Sequence, residues 1–487
     1  MSGALIPTFV ALPLAVAFLL PMLPRRSEWA SDLLGNAAMA VLVAMCVPAL
    51  GTSGLYHMGG WATPIGIDLR LDALAALMLL LVNGIGLAAT VYSVPYMRRY
   101  GAKHRYYALF LLMVAGMNGL VLSGDLFNLF VFMEIAAIAS YALVAFGGGH
   151  EEVEAAFKYT VLGSVASTLV LVAVAILYGV TGTLNMAHVA SRLAADGVGR
   201  PGLFALGLFT AGFGLKAALV PFHAWLPDAH PSAPAPISAM LSGVVIKTLG
   251  VYALARVVFN VYGATPEILL ALRALGLLSM VVGVLLAIGQ WDMKRLFAYH
   301  SVSQIGYVIL GLGLGTPLGI AGGLFHLFNH SIFKSLLFMN SGSVVHATGV
   351  RDLKRLGGLA GPMPVTTATS VVASLSIAGV PPLNGFWSKL ILVIACVQAG
   401  FWDLAAWAIV VSVITLASFL KVERYGFFET MKTALAAARP EPAMMRVAMV
   451  LLAAACGASA LLVAGGLDSP FLVRPAALVL LAGPFAP

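Results

Sequence analysis

Apolar residues in this chain come in long unbroken runs rather than in the alternation of a half-buried strand. Stretches of about 17–25 residues, the length a helix needs to cross a bilayer, recur fourteen times, centred at 4–22, 33–50, 73–94, 106–122, 127–146, 158–179, 203–222, 235–258, 267–289, 297–315, 318–340, 364–396, 403–424 and 444–465. No polar, water-facing periodicity long enough for a soluble domain separates them. In hydrocarbon the backbone must satisfy its own hydrogen bonds, so the pattern predicts an all-α polytopic membrane protein of about 14 transmembrane helices. The twelfth run is too long for one straight span and contains Gly379, Val380, Pro381 and Pro382. Proline lacks the N–H that a helix interior requires, which predicts a break in mid-membrane there and a second one at Pro221. The first run is followed by Arg25 and Arg26 rather than preceded by basic residues. That is the wrong polarity for a signal peptide, and a retained helix is expected.

Composition removes the soluble alternative. Hydrophobic residues make up 61% and charged residues 9%, against about 45–50% and about 25% in soluble domains. Cys46, Cys396 and Cys456 each lie inside an apolar run, which suggests neither a disulfide framework nor a paired-cysteine metal site. The net charge of +8 is better read against membrane topology than as a sign of nucleic acid. Of the 27 Lys and Arg, with those at run ends counted with the adjoining loop, odd-numbered loops hold 17, even-numbered loops and the C-terminal tail hold 5, and 5 fall deeper within the runs. Basic loops stay in the cytoplasm. The loops carrying Arg98, Arg99, Lys103, Arg105, Arg351, Lys354 and Arg355 are therefore expected inside, and both termini outside the cell membrane.

The fourth to eighth and ninth to thirteenth helices form two five-helix blocks, and the odd count inverts the second relative to the first. The fourth helix of each block is the proline-broken one and carries a lysine near its break, Lys216 before Pro221 and Lys389 after Pro382. Matched interrupted helices in two halves point to a transport site. The expected divisions are 1–104 (three helices), 105–260 (first repeat), 261–425 (second, inverted repeat) and 426–487 (last helix and tail).

A lysine at the bilayer centre costs about 2.5–3.5 kcal/mol on insertion scales and marks a partner or a task. The basic residues in the runs are Lys216, Lys247, Arg273, Lys334 and Lys389. Arg273 is near a helix end and can snorkel to the interface; the others lie deeper. Among the 19 acids only Glu134 reads as well inside a run, so pairing cannot satisfy four lysines. Burial favours the neutral amine and a nearby carboxylate the ammonium, so a lysine whose partner moves can act as a proton switch. His326, His330 and Lys334 recur at i, i+4 and i+8, stacked along one helix face. Each can give and take a proton. Zinc is the rival for the His-x-x-x-His spacing, but the glutamate of a zinc-protease helix is missing and no nearby cysteine or acid offers a third ligand; two packing histidines are the bland alternative. The Pro221 to His230 loop, with Pro231, Pro234 and Pro236 after it, has the make-up of a helix-capping turn.

At these segments the sequence resembles the antiporter-like subunits of respiratory complex I, membrane-bound hydrogenases and Mrp-type Na+/H+ antiporters. The resemblance runs from about residue 70 to about 425. It is carried by Leu126 to Glu134, Lys216 to His230, Lys247, Lys294 to Ser301, His326 to Lys334, Gly342 to Ala347 and Gly379 to Lys389. It implies that Glu134 and Lys216 form an ion pair, that Lys247 lies on a central polar axis, that His326, His330 and Lys334 connect the halves, and that Lys389 is the last charged group. A lysine at 389, together with Phe157 to Tyr159 and Thr181 to Ala187, looks like the Mrp D type. A proton-pumping complex I or hydrogenase subunit is the nearest alternative. In the mechanism so implied, a partner subunit weakens the Glu134–Lys216 pair, and the proton passes through water to Lys247, along His330 and Lys334 to Lys389, and out. The expected partners are other membrane subunits, with protons and possible Na+ as cargo. No Gly-rich dinucleotide loop follows a strand, and neither cofactor nor metal is expected. A quinone- or haem-binding oxidoreductase subunit using His326 and His330 is the reading from another class, weakened because two histidines four apart on one helix cannot face one iron from opposite sides. A solute permease with inverted repeats is a third.

Overall fold

The computed structural model describes residues 3–24, 28–430, 440–467 and 470–485; Arg25 and Arg26 lie outside the described residues. Among the described residues, nine helices are long and apolar enough to cross a membrane: Glu28–Ala49, Ala73–Arg99, Lys103–Leu122, Leu126–Gly147, His150–Thr181, Ala235–Tyr262, Pro266–Ile288, Trp402–Phe428 and Ala443–Val463. The other predicted runs fall short for identifiable reasons. Thr8–Met22 is brief. Met293–Gly313 and Pro317–Thr348 are long but rich in Ser, Asn, His and Lys. The seventh and twelfth runs are interrupted as their prolines require.

Polarity follows position in the bundle. Pro317–Thr348 is buried on every side from Gly319 to Val344, so its polar face meets protein rather than lipid. Thr316 caps its first turn by accepting from the Gly319 N–H, and Gly349, at φ 70°, ends it in the left-handed conformation that glycine adopts without a Cβ penalty. The neighbouring helix Ala235–Tyr262 is also wholly buried. It runs antiparallel to the central helix: a Cβ on Gly342 would meet Ala235, the Ser335 hydroxyl donates to the Ala239 carbonyl, and a Cβ on Gly243 would meet Ser335 and the Ser331 carbonyl. The next turn carries Lys247 to the level of His330. Over Leu241–Val245, Lys247–Tyr252 and Arg256–Tyr262 this helix winds as π-helix, a form that recurs at functional sites.

Both breaks are built around helix ends. Gly199–Lys216 stops at its lysine; the chain turns through Ala218, at φ 57°, and the Trp225 indole donates to the Leu215 carbonyl at 2.9 Å. A Cβ on Gly250 would lie 2.4 Å from the Ala217 nitrogen, so the π-wound helix abuts this break. The second break separates Pro364–Ala378 from Asn384–Gln398. Gly379 takes φ 83°, and the Val380 N–H returns to the Leu375 carbonyl at 3.0 Å, a Schellman-type stop. The two half-helices nearly touch, for a Cβ on Gly385 would sit 1.7 Å from the Ser376 carbonyl oxygen. Gly385→Ala is therefore expected to force the backbones apart at a cost of about 1–3 kcal/mol or more. A lowered melting temperature of the purified variant checks this, and an unchanged one would contradict the close packing.

Three expectations are corrected. The chain is not purely helical: Gly54–His57 and Asp68–Leu71 pair as an antiparallel hairpin between the second and third helices, too short for its alternation to register beside twenty-residue apolar runs. Arg256, counted with the adjoining loop because it lies at the end of its apolar run, belongs to the buried helix and pairs with Asp72 at 2.6 Å, because that helix continues to Tyr262. Glu134 is not the only acid inside a span, since Glu423 is 7% exposed in Trp402–Phe428. All three cysteines are buried and free.

Two loop pairings recur. Before Leu126–Gly147, Gly124 and Leu126 exchange backbone hydrogen bonds with Met186 and Leu184; before Met293–Gly313, Trp291 and Met293 do so with Leu353 and Arg351. In each case an aspartate, Asp125 or Asp292, caps the helix that follows.

Candidate functional site

Lys216, Lys247, His326, His330, Lys334 and Lys389 are all buried within the bundle. At one end the Glu134 carboxylate lies 3.6 Å from the Lys216 ammonium, with Lys216 buried and the Glu134 side chain 26% exposed. The helix Leu126–Val144 supplies Glu134 and, two turns on, Tyr141, whose hydroxyl accepts from Lys216 at 3.2 Å. Ser167 donates its hydroxyl to Glu134. Tyr141 packs edge-on against Tyr159, which stacks on Trp225 at 4.2 Å, so an aromatic stack ties the pair to the first break.

Lys247 is fully buried, and its amine donates to the Ser242 carbonyl at 2.5 Å. The Ser242 hydroxyl meets that of Ser301 at 2.7 Å, linking this helix to Met293–Gly313. Opposite stand His326, His330 and Lys334. The His326 and His330 rings lie 6.2 Å apart and nearly parallel, at 11°. His326 is held from both sides, Nδ1 by the Ser388 hydroxyl at 3.0 Å and Nε2 by the Gln304 side-chain oxygen at 3.2 Å. With that amide orientation Nε2 carries the proton and Nδ1 accepts. Both nitrogens being engaged, His326 is poorly placed to ligate a metal or haem. His330 and Lys334 hydrogen-bond to no protein group among the described residues.

At the far end, Lys389 donates to the carbonyls of Ile377 and Ala378 at 2.8 and 3.5 Å. These are among the acceptors that the broken helix leaves unpaired, and a cation at a helix C-terminus also meets its dipole favourably. The Lys389 ammonium lies 4.9 Å from the Tyr307 ring centroid, and that ring is 5.3 Å from His326. A cavity of about 310 Å³ opens beside Lys389, with Val380, Ile409, Ser412 and Leu416 in its wall.

The structure brings Glu134 to Lys216, and His326 to Lys389. It does not bring Lys334 to Lys389. The neighbour of Lys389 is His326, because Ser388, adjacent in sequence, packs at that level of the central helix. Lys334 lies two turns away, its ammonium 5.7 Å from the rings of Phe297 and Phe338. Sequence reasoning missed Tyr141, Tyr307, Ser167, Gln304 and Ser388, which carry no signal as isolated uncharged residues. It also passed over His230, stacked on Phe338 at 4.8 Å, and His300, against Phe419 at 4.8 Å; both sat in stretches it had singled out. Asp228 anchors the Pro221 to His230 loop at the surface through Lys158 at 3.1 Å and Arg295 at 3.4 Å.

Fold and site together define a polytopic helical membrane protein with a buried chain of ionisable groups running between two broken helices. Residues 123–415 match the family described as NADH:quinone oxidoreductase/Mrp antiporter, TM, and residues 60–107 match NADH-Ubiquinone oxidoreductase (complex I), chain 5 N-terminus. The chain belongs to this antiporter-like family of complex I and Mrp membrane subunits. It is 40% identical to the N subunit of the NADH-quinone oxidoreductase of Desulforudis audaxviator over 424 residues, 85% of this chain and 84% of that one. It is 36% identical to the D-type subunit of the Na(+)/H(+) antiporter of Alkalihalophilus pseudofirmus over 82% of this chain and 80% of the relative. A chain in the Mrp complex from a Dietzia species superimposes with a TM-score of 0.92 at 30% identity, covering 99% of this chain and 98% of that one.

Proposed function

We propose that this chain moves protons, alone or in exchange for Na+, across the cell membrane as one subunit of a multi-subunit complex, most nearly the D-type subunit of an Mrp antiporter. One observation carries the reading: a set of buried titratable side chains between the two broken helices in which, among the described residues, Lys216 alone of the four lysines has an ion-pair partner. The remaining amines and imidazoles are free to exchange protons, and water-linked titratable groups are what a relay requires. Glu134 holds Lys216 as the ammonium. Loosening of that pair sends the proton through water to Lys247, then to His330 and His326, and on to Lys389 and the far side, with Lys334 as a side branch of the central group. Glu134 is partly exposed at mid-span, where a carboxylate facing lipid is costly; a neighbouring membrane subunit covering that face removes the cost and reaches the switch. A redox-linked proton pump is the second reading, favoured by the 40% identity to the NADH-quinone oxidoreductase relative. Proton flux in everted vesicles carrying the assembled complex, with and without Na+, tests both. No flux that depends on this chain would overturn them.

The proposed topology has fourteen spans, both termini outside, and the four divisions drawn from the sequence. The recurrent loop pairings before Leu126–Gly147 and Met293–Gly313 support two inverted repeats at 105–260 and 261–425. Single cysteines introduced at 98–105 and 351–355 are expected to escape a membrane-impermeant thiol reagent in intact cells and to react in everted vesicles. Labelling of these positions in intact cells would reverse the orientation.

A further inference from the structure

Glu423 is a buried carboxyl that the relay above does not use. One of its oxygens accepts from the hydroxyls of Ser370 at 2.7 Å and Ser374 at 2.6 Å; the other has no partner among the described residues. It borders a cavity of about 360 Å³ whose remaining wall is largely apolar, with Leu375, Leu416 and Phe419 in it. Leu416 is also in the wall of the cavity beside Lys389, so the two spaces share that side chain as a common wall. The helix Pro364–Ala378 joins them a second way: Ser374 binds Glu423, and one turn further on, on the same face, the Ile377 carbonyl accepts from Lys389.

We propose that Glu423 is a second buried proton carrier, exchanging its proton with Lys389 past Leu416 and so giving the second half of the protein an acid–lysine couple like that of the first; this rests on the role proposed above for Lys389. The neutral carboxyl gives its proton, carried by water, to the neutral Lys389 amine. Carboxylate and ammonium result, and the two serine hydroxyls stabilise the carboxylate. The same hydroxyls hold the acid in place in either state. Few other titratable groups face it. Pro364–Ala378 contributes none, Asn384–Gln398 contributes Lys389, and Met293–Gly313 contributes His300 behind Phe419. On its own helix, Lys421 is bound to the carbonyls of Ile288 and Gln290, and Arg424, exposed, lines the outer part of the same cavity. Pro266–Ile288 carries Arg273 at the opposite end, over Phe401, and the Leu353–Arg355 turn directs Lys354 onto Trp291.

The test is proton flux against pH in vesicles carrying the assembled complex, for the wild type, Glu423→Gln and Lys389→Met. Glutamine keeps the size and the oxygen that Ser370 and Ser374 bind, but holds no exchangeable acid proton. The expected result is at least a tenfold slower flux for Glu423→Gln, with one limb of the pH profile lost. A wild-type rate and profile, or a slower rate with the profile's shape unchanged, would overturn the proposal, the second outcome marking a structural role. If Lys389→Met transports normally, both this inference and the reading of the relay fail; if Lys389→Met is inactive while Glu423→Gln behaves as wild type, only this inference fails. A readout independent of turnover is the infrared carbonyl band of a protonated carboxyl, expected to titrate in the wild-type complex and to be missing from Glu423→Gln. Identical spectra would likewise defeat the assignment.

Discussion

Replacing Glu134 with alanine is expected to abolish coupled transport while leaving the protein in the membrane. The carboxylate lies 3.6 Å from the Lys216 ammonium, and a pair at about 4 Å attracts by about 4 kcal/mol at an effective dielectric of 20. In the proposed mechanism that attraction is the switch, for its strength decides whether Lys216 keeps its proton. Alanine removes it and leaves Lys216 the Tyr141 hydroxyl, a neutral acceptor that no partner subunit can bias electrostatically. Ser167 loses its acceptor too, but its one hydroxyl proton can turn to the Gly163 carbonyl at 2.9 Å, so the local packing survives. Aspartate keeps the charge and withdraws it by about one C–C bond, roughly 1.5 Å, so Glu134→Asp is expected to retain partial flux. The measurement is proton flux normalised to assembled complex on native gels. Normal pumping by an assembled Glu134→Ala complex would remove the ion pair from the mechanism.

Lys389→Met is expected to stop transport, and Lys389→Arg to stop it or nearly so. Lys389 closes the second break by donating to the carbonyls of Ile377 and Ala378, groups that survive at membrane depth only when buried in protein or lining a wet cavity. Methionine keeps the volume and removes both the donor and the proton site. Two buried acceptors then lose a partner, at about 1–3 kcal/mol each, so some loss of assembled complex accompanies the loss of flux. Arginine separates the two functions. Its guanidinium keeps the positive charge and can still donate to both carbonyls, yet it stays protonated at any accessible pH and so cannot pass a proton on. Flux below about a tenth of wild type for both variants, per assembled complex, is the expected outcome. Full activity of Lys389→Arg would show that position 389 needs only a fixed charge, and would defeat the relay assignment even with Lys389→Met inactive.

Membrane class, helical architecture and the two interruptions were legible in the sequence because each is a local property. A twenty-residue apolar run can satisfy its backbone in lipid only as a helix, and prolines such as Pro221 and Pro382 break a helix wherever the chain goes. The lysines stood out for the same reason, since a charge in an apolar run is conspicuous without any knowledge of its neighbours. Their neighbours were another matter. That Tyr141 rather than a second acid shares Lys216, that His326 and not Lys334 stands beside Lys389, and that Ser388 and Tyr307 bridge the two depend on helices far apart in sequence meeting at particular levels. Glu423 and Arg256 were misplaced because each lies at the very end of its apolar run, where a charge reads as belonging to the loop, whereas burial ends where packing does, and both helices continue past that point inside the protein. The π-winding around Lys247, and the approach of Gly250 to the first break, leave no mark on hydropathy at all. By itself the sequence determined the membrane class and marked most of the charges that go into the protein's interior, because transfer from water to lipid is set residue by residue. Only the tertiary structure decided which of those charges meet, because the reach of a hydrogen bond or an ion pair is a few ångströms and the packing of whole helices sets every distance on that scale.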